Sequence, residues 1–264
     1  MAHSFFDGAY VSYWKERVGN AADGSKVSDE SVVSFFLQKL PLAKNSSVLD
    51  LGCGHGRLFP LLHEKSDHIE GADVTDEAVA ECAKLPYKNV VKGSAENTTL
   101  PSNYFDAVVA WATYDVVEQE AALVEENRIL KKGGYLLITG KNKGYEPTDD
   151  LAFIAERNAK LKDFPNHFTD VYGLIKESSL YGFSVRAGVG FPRRGDFGNL
   201  QFFDLQAEER PCYEFLLILE KEGAPAHERP LICYEYSDVA KEQAKEHQFD
   251  DVRQFFQWHA QNHG

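Results

Sequence analysis

Residues 48–57 read Val-Leu-Asp-Leu-Gly-Cys-Gly-His-Gly-Arg, and Leu58, Leu61 and Leu62 then open an apolar face at helical spacing. An apolar run that ends in an acid, a glycine-rich turn and a helix start describe a strand, a tight connection and a helix N-terminus. In an α/β protein this is where the backbone approaches a nucleoside cofactor closely, because exposed N–H groups collect there and a side chain would hold the ligand away. The glycines also supply any left-handed turn position without steric cost.

The stretches that follow repeat the alternation. Residues 69–74 (Ile-Glu-Gly-Ala-Asp-Val) form a second apolar run in which Asp73 stands at the end, and Thr75-Asp76-Glu77 then starts a helix. An acid at that place can accept ribose hydroxyls through charge-assisted hydrogen bonds. A third strand over 89–92 leads into Gly93-Ser94-Ala95-Glu96, and a fourth over 105–110 ends at Trp111. A helix from about Glu118 to Leu130 closes with basic residues and Gly133-Gly134, followed by a fifth strand over 135–139.

Taken in order, Asp50 to Gly56, Asp73, Ser94-Ala95-Glu96, Phe105 to Val108 and Leu130 to Gly134 resemble the class I S-adenosylmethionine-dependent methyltransferases. The likeness is close over residues 45–140 and looser toward Phe183 and Tyr213. It implies an α/β fold: a seven-stranded, mostly parallel, doubly wound sheet with an antiparallel seventh strand, here with an inserted helix and a C-terminal extension. A nicotinamide dinucleotide is the competing cofactor, but Asp50, Ala95-Glu96 and Gly133-Gly134 fit the methyltransferase pattern better. The resemblance places Gly52, Cys53 and Gly54 at the methionine part of S-adenosyl-L-methionine, with Asp50 ordering its ammonium. It places Asp73 and Val74 at the ribose, and Ser94, Ala95 and Glu96 at the adenine, with Trp111 after strand four. Tyr13-Trp14-Lys15-Glu16-Arg17 looks like the segment that small-molecule members fold over the cofactor, Tyr13 and Trp14 as walls and Arg17 on the carboxylate.

The remaining organisation is an N-terminal segment (1–27), a methyltransferase domain (28–222) with an inserted substrate-covering region (141–168), and an extension (223–264). A helix is expected from Ser28 to Leu40. Within the insert, Thr148-Asp149-Asp150 caps a helix whose apolar stripe reads Leu151, Ile154 and Leu161. A further helix runs from a Thr169 cap to Gly182, strand six over 183–189 and strand seven over 213–219. In the tail, Leu231 to Tyr234 forms an extra strand, and Ser237 and Asp250 each cap a short helix. The extension is either a packing or dimerisation element or a substrate lid.

Methyl transfer is an in-line displacement at an activated sulfonium, so positioning the nucleophile about 3 Å from the methyl can supply most of the catalysis. A base is needed only for a nucleophile that keeps its proton near neutral pH. Asp115, after strand four, and His167, in the insert, are the candidate bases, and His55 belongs to the glycine turn. Substrate residues should lie beyond the parallel strands: Tyr114, Lys141, Arg193 and Arg194, with Lys143 and Arg210 on the same rim. A basic rim on a chain of net charge -13 suggests an anionic acceptor. That charge opposes nucleic-acid binding, and no amino-base methylation tetrad follows strand four. The four cysteines lack metal-ligand spacing, and no acidic cluster suggests a divalent metal, so no metal is expected. No apolar run reaches the roughly 18 residues of a membrane helix, and no signal-peptide core opens the chain, which suggests a cytoplasmic monomer or homodimer without membrane contact. The expected activity is methylation of a small-molecule or sugar-containing metabolite at oxygen. The alternatives are a protein or other N- or C-methyltransferase, and a non-catalytic S-adenosylmethionine-binding module.

Overall fold

The computed structural model describes residues 30–161 and 165–263. The expected segment at Tyr13, Trp14 and Arg17 and the Ser28 cap lie outside the described residues. The chain runs α1 (Glu30–Leu37), β1 (Ser47–Leu51), α2 (Phe59–Lys65), β2 (His68–Asp73), α3 (Asp76–Cys82), β3 (Asn89–Lys92), β4 (Phe105–Ala110), α4 (Gln119–Ile129) and β5 (Leu130–Lys141). It continues with α5 (Asp150–Leu161), β6 (His167–Thr169), α6 (Val171–Glu177), β7 (Phe183–Phe191), β8 (Phe203–Asp204), β9 (Glu214–Lys221), β10 (Cys233–Glu235), α7 (Tyr236–Glu246) and α8 (Val252–His263).

The main sheet has the order β3-β2-β1-β4-β5-β9-β7-β8. Strands β1 to β5 pair in parallel, and β9 lies antiparallel between β5 and β7. The expected strands six and seven are therefore β7 and β9. The sheet has eight strands rather than seven because the loop after β7 folds back as the two-residue edge strand β8.

Alternation along the strands builds a core on each face, as the two-residue side-chain period requires. Leu49 and Leu51 of β1 and Phe215, Leu217 and Leu219 of β9 enter one cluster, while Val48, Leu216 and Ile218 enter the other. The strand order reverses between β1 and β4, so the C-terminal ends of these strands frame a crevice at the topological switch point.

The inserted helix and the extension form one cap. Ala152 of α5 shares a cluster with Phe168, Tyr213, Tyr236, Val239 and Ala240, and Phe153 shares a second with Ala244 and Phe255. The expected stripe of α5 is corrected: Leu151 is 65% exposed and Ile154 39%, whereas Ala152, Phe153 and Glu156 are buried. α5 turns this face inward because α8 covers it, with His259 stacked on Phe153 at 3.8 Å and its Nε2 3.0 Å from the Pro147 carbonyl. Asp149 caps α5 as expected, accepting from the Ala152 N–H at 3.1 Å. For α6 the cap is Asp170 rather than Thr169, because Thr169 is taken up by β6, which pairs antiparallel with β10. Among the described residues no helix is long and apolar enough to cross a membrane.

Candidate active site

Two adjoining cavities open beyond the C-terminal ends of the parallel strands. The first is a groove lined by Leu51, Gly52 and Gly54 after β1, Asp73 to Thr75 after β2, and Gly93, Ala95 and Glu96 after β3. Its far wall is Ala112, Thr113, Val116 and Val117 after β4. Gly52 and Gly54 have φ of 75° and 55°, in the left-handed region that favours glycine. A Cβ on Gly52 would meet the Thr113 Oγ1 at 2.5 Å, while one on Gly54 would meet nothing within 4 Å. The turn is therefore packed beneath and open above, and its backbone is bare toward the groove.

Asp73 fixes this turn. Its Oδ2 accepts from the Gly54 N–H at 3.0 Å, and its Oδ1 accepts from the Thr75 N–H and hydroxyl, each at 3.0 Å. With two lone-pair directions on each oxygen, Oδ2 keeps one for a hydroxyl in the groove. Across the groove, Glu96 accepts from the Glu118 N–H at 2.8 Å through Oε1, while its buried Oε2 has no hydrogen-bond partner among the described residues. A buried acceptor without a donor is costly unless a ligand supplies one, and an adenine amino group is such a donor. Asp50 lies beneath the turn, 2% exposed, and accepts from the Tyr87 hydroxyl at 2.6 Å. Burial raises its carboxyl to about 7, and the neighbouring Asp73 adds to this against the opposing Tyr87 hydrogen bond and the more distant Arg57.

Several expected site residues lie elsewhere. The Cys53 thiol turns into the protein, 3.2 Å from the Cys82 sulfur, and the hydrogen bond with Cys82, followed by burial, pushes its pKa up. Ser94 makes a bridge to Asn97 beside the groove, and its neighbours Gly93 and Ala95 form the wall. Trp111 faces the second cavity instead, with its ring 5.3 Å from that of Phe197. Tyr114 is fully buried with its hydroxyl donating to Glu126, so it is a core residue and touches neither cavity. Val116 and Val117 were missed because their approach depends on the Ala112 backbone, held at φ 54° with its N–H donating to Thr139 Oγ1 at 2.8 Å.

The second cavity, of about 300 Å³, adjoins the groove at Ala112. Its walls are Trp111, Phe197 and Phe215, with the charged groups Asp115, Lys141, Arg194 and Glu214. Lys141 Nζ donates to Asn166 Oδ1 at 2.8 Å and Glu156 Oε2 at 3.1 Å, and lies 3.5 Å from Asp115 Oδ2. Asp115 is about one-third exposed, and its Oδ1 has no partner among the described residues. Arg194 donates to the Tyr213 hydroxyl at 2.7 Å.

The basic rim expected from sequence is largely neutralised. Lys143 pairs with Asp170 at 3.0 Å, Arg210 with Glu208 at 3.2 Å, and Lys141 as above. Arg193 is exposed and lines neither cavity. Arg194 is the cation of this rim that both lines the cavity and lacks a paired carboxylate within salt-bridge distance among the described residues. His167 does not reach either cavity. It is 2% exposed, with Nδ1 2.7 Å from the Val117 carbonyl and Nε2 3.0 Å from Glu235 Oε1. Burial alone would lower its pKa, but contacts with Cys233, Glu235 and Val117 outweigh it and raise it to about 11. An imidazolium between two acceptors cannot take a proton, so His167 is corrected from a candidate base to a tie between β6, β10 and the turn before α4.

The methyltransferase-domain family matches residues 49–138, which contain the glycine turn, Asp73, Glu96 and Asp115. A ubiquinone/menaquinone biosynthesis C-methyltransferase of Campylobacter jejuni is 28% identical over 61% of this chain and 70% of its own. A (+)-O-methylkolavelool synthase of Herpetosiphon aurantiacus is 25% identical over 69% and 68%. A Thermotoga maritima crystal structure of an S-adenosylmethionine-dependent methyltransferase superposes with a TM-score of 0.59 at 22% identity, over 81% of this chain and all of that one, a likeness of fold.

S-adenosylmethionine fits the residues present. Gly52, Gly54, Asp73 and Glu96 line one groove, and the bare glycine backbone, the remaining Asp73 lone pair and the Glu96 carboxylate would each answer a different part of the cofactor. Asp73→Ala is expected to weaken S-adenosylhomocysteine binding by roughly 1–3 kcal/mol, the range for a lost charge-assisted pair, measured by calorimetry. The substitution also frees the Gly54 and Thr75 N–H groups, so Asp73→Asn, which keeps an acceptor, should lose less. Equal affinity in Asp73→Ala and the unmodified protein would remove Asp73 from the cofactor site. A sheet of methyltransferase order, a nucleoside groove at its switch point and the match over residues 49–138 agree: residues 49–138 form a methyltransferase domain, and its methyl donor is S-adenosylmethionine.

Proposed function

We propose that the enzyme methylates a compact small molecule at a hydroxyl oxygen, in the cavity between Trp111, Phe197 and Phe215. The observation that carries this reading is Asp115 Oδ1, a carboxylate oxygen unengaged among the described residues, on a side chain in the wall of a cavity that adjoins the cofactor groove. A hydroxyl keeps its proton near neutral pH and needs such an acceptor, whereas a neutral amine or an activated carbon can attack without one. S-adenosylmethionine supplies the methyl group, the acceptor oxygen takes it, and the hydroxyl proton passes to Asp115. Arg194 addresses an anionic or polar group at the far side of the acceptor, its position fixed by Tyr213. The relatives include both a C-methyltransferase and an O-methyl product synthase, so the choice of oxygen rests on the cavity rather than on kinship.

The test is a panel of small hydroxyl-, amine- and carbon-acid-bearing metabolites with methyl-tritiated S-adenosylmethionine. Label transfer to hydroxyl compounds is the expected result. Transfer confined to amines or carbon acids would overturn the choice of oxygen. No transfer to any member, despite tight S-adenosylhomocysteine binding, would favour a cofactor-binding module.

A further inference from the structure

Glu156 is the buried charge of the inserted helix, 1% exposed, and three polar side chains from three other segments converge on it. Tyr213 donates its hydroxyl to Oε1, and Asn166 Nδ2 and Lys141 Nζ donate to Oε2 at 2.6 and 3.1 Å. Glu156 touches neither cavity itself; Lys141 and Arg194, its neighbours one step out, line the acceptor cavity.

We propose that Glu156 is a positioning residue of the methyl-transfer site, holding Lys141 from behind so that Asp115 keeps an oxygen for the acceptor. The inference rests on the acceptor-cavity reading above. An ammonium has three donors. Two of those on Lys141 are committed to Glu156 and Asn166, on the side away from the cavity. The third faces Asp115 Oδ2 at 3.5 Å, which is an ion-pair distance and too long for a good hydrogen bond. Lys141 thus stabilises the Asp115 carboxylate without capping it. The groups that face Lys141 are Asp115, Glu156, Asn166 and Arg194, so Glu156 and Asp115 together offset the two cations. Without the Glu156 charge, the strongest remaining partner of Lys141 is Asp115, and the ammonium moves onto the base. The same carboxylate orders Tyr213, which holds Arg194, so one buried group of the insert sets both cations of the cavity.

Glu156→Gln keeps the shape and an acceptor oxygen but removes the charge. In the full-length variant, acetylation of Lys141 by acetic anhydride at pH 9, read by peptide mass spectrometry against the exposed Lys39, should rise about fivefold. S-adenosylhomocysteine affinity should stay within twofold, since Glu156 lies outside the cofactor groove. With a hydroxyl acceptor from the panel, kcat should fall about tenfold while the acceptor KM changes less. Unchanged Lys141 labelling overturns the proposal, and so does an unchanged kcat. If Glu156→Gln does not fold, Glu156→Asp, which keeps the charge but withdraws it by one methylene, must still raise Lys141 labelling at least twofold or the proposal falls. An empty panel would sink the choice of acceptor and leave the Lys141 result standing, so the two failures are distinct.

Discussion

Asp50→Asn is expected to stabilise the ligand-free protein by up to about 4 kcal/mol at pH 8, and to change its stability little at pH 4. Burial raises the Asp50 carboxyl from the ordinary 3.8 to about 7, with Asp73 adding to the shift. Between those values the native state holds a proton that the unfolded chain has released. Stability therefore falls as pH rises from about 4 to about 7 and stays lowered above that range. At about 1.4 kcal/mol per pH unit, the separation sets the upper bound just given. Asparagine carries no charge at any of these pH values and can still accept from Tyr87, so the variant lacks this slope. Urea unfolding at pH 4 and pH 8 measures the difference directly. A variant no more stable than the unmodified protein at pH 8 would show that Asp50 is not destabilised by its burial.

The same substitution should weaken cofactor binding, which gives the strained carboxylate a reason. A buried acid beneath the glycine turn carries an unfavourable charge above about pH 7, and the ammonium that the cofactor resemblance places there would offset it. On that reading, stability lost in the free protein would be recovered on binding, the usual relation between a functional site and the fold that carries it.

The nucleoside half of the molecule was legible in sequence because its determinants are local. A strand ending in Asp50, the turn of Gly52 and Gly54, and Asp73 one strand later each depend on residues within a few positions. The acceptor half is set by contacts across long stretches of chain. Glu156 meets Tyr213, and His259 of the last helix stacks on Phe153 of the insert. Periodicity assigned the inward face of α5 to Leu151 and Ile154, because a buried glutamate reads as a polar position until its three donors are seen. Tyr114 failed for the opposite reason: it follows a strand end, where substrate residues gather, but its ring drops into the core to meet Glu126. Of the five-cation rim only Lys141 and Arg194 line the second cavity, and the partners of Lys141 and Lys143, Glu156 and Asp170, come from segments that no local pattern joins to them.

Asp115→Asn should lower kcat by roughly 10²–10⁴-fold with a hydroxyl acceptor, the usual contribution of a positioned general base. Asparagine keeps the size of the side chain and the hydrogen bond that an acceptor hydroxyl can donate, so the acceptor KM should change far less than kcat. S-adenosylhomocysteine affinity should be unchanged, because Asp115 lines the second cavity and not the nucleoside groove. A loss smaller than about threefold would mean that positioning alone suffices and that the acceptor ionises without help. The variant also tests the route by which Glu156 acts. If Glu156 works through Lys141 on Asp115, then Glu156→Gln should cost about tenfold in the unmodified background and almost nothing once Asp115 is asparagine, because the group it protects is gone. Additive losses in the double variant would show two independent effects, since non-additivity is the signature of residues that act through one another.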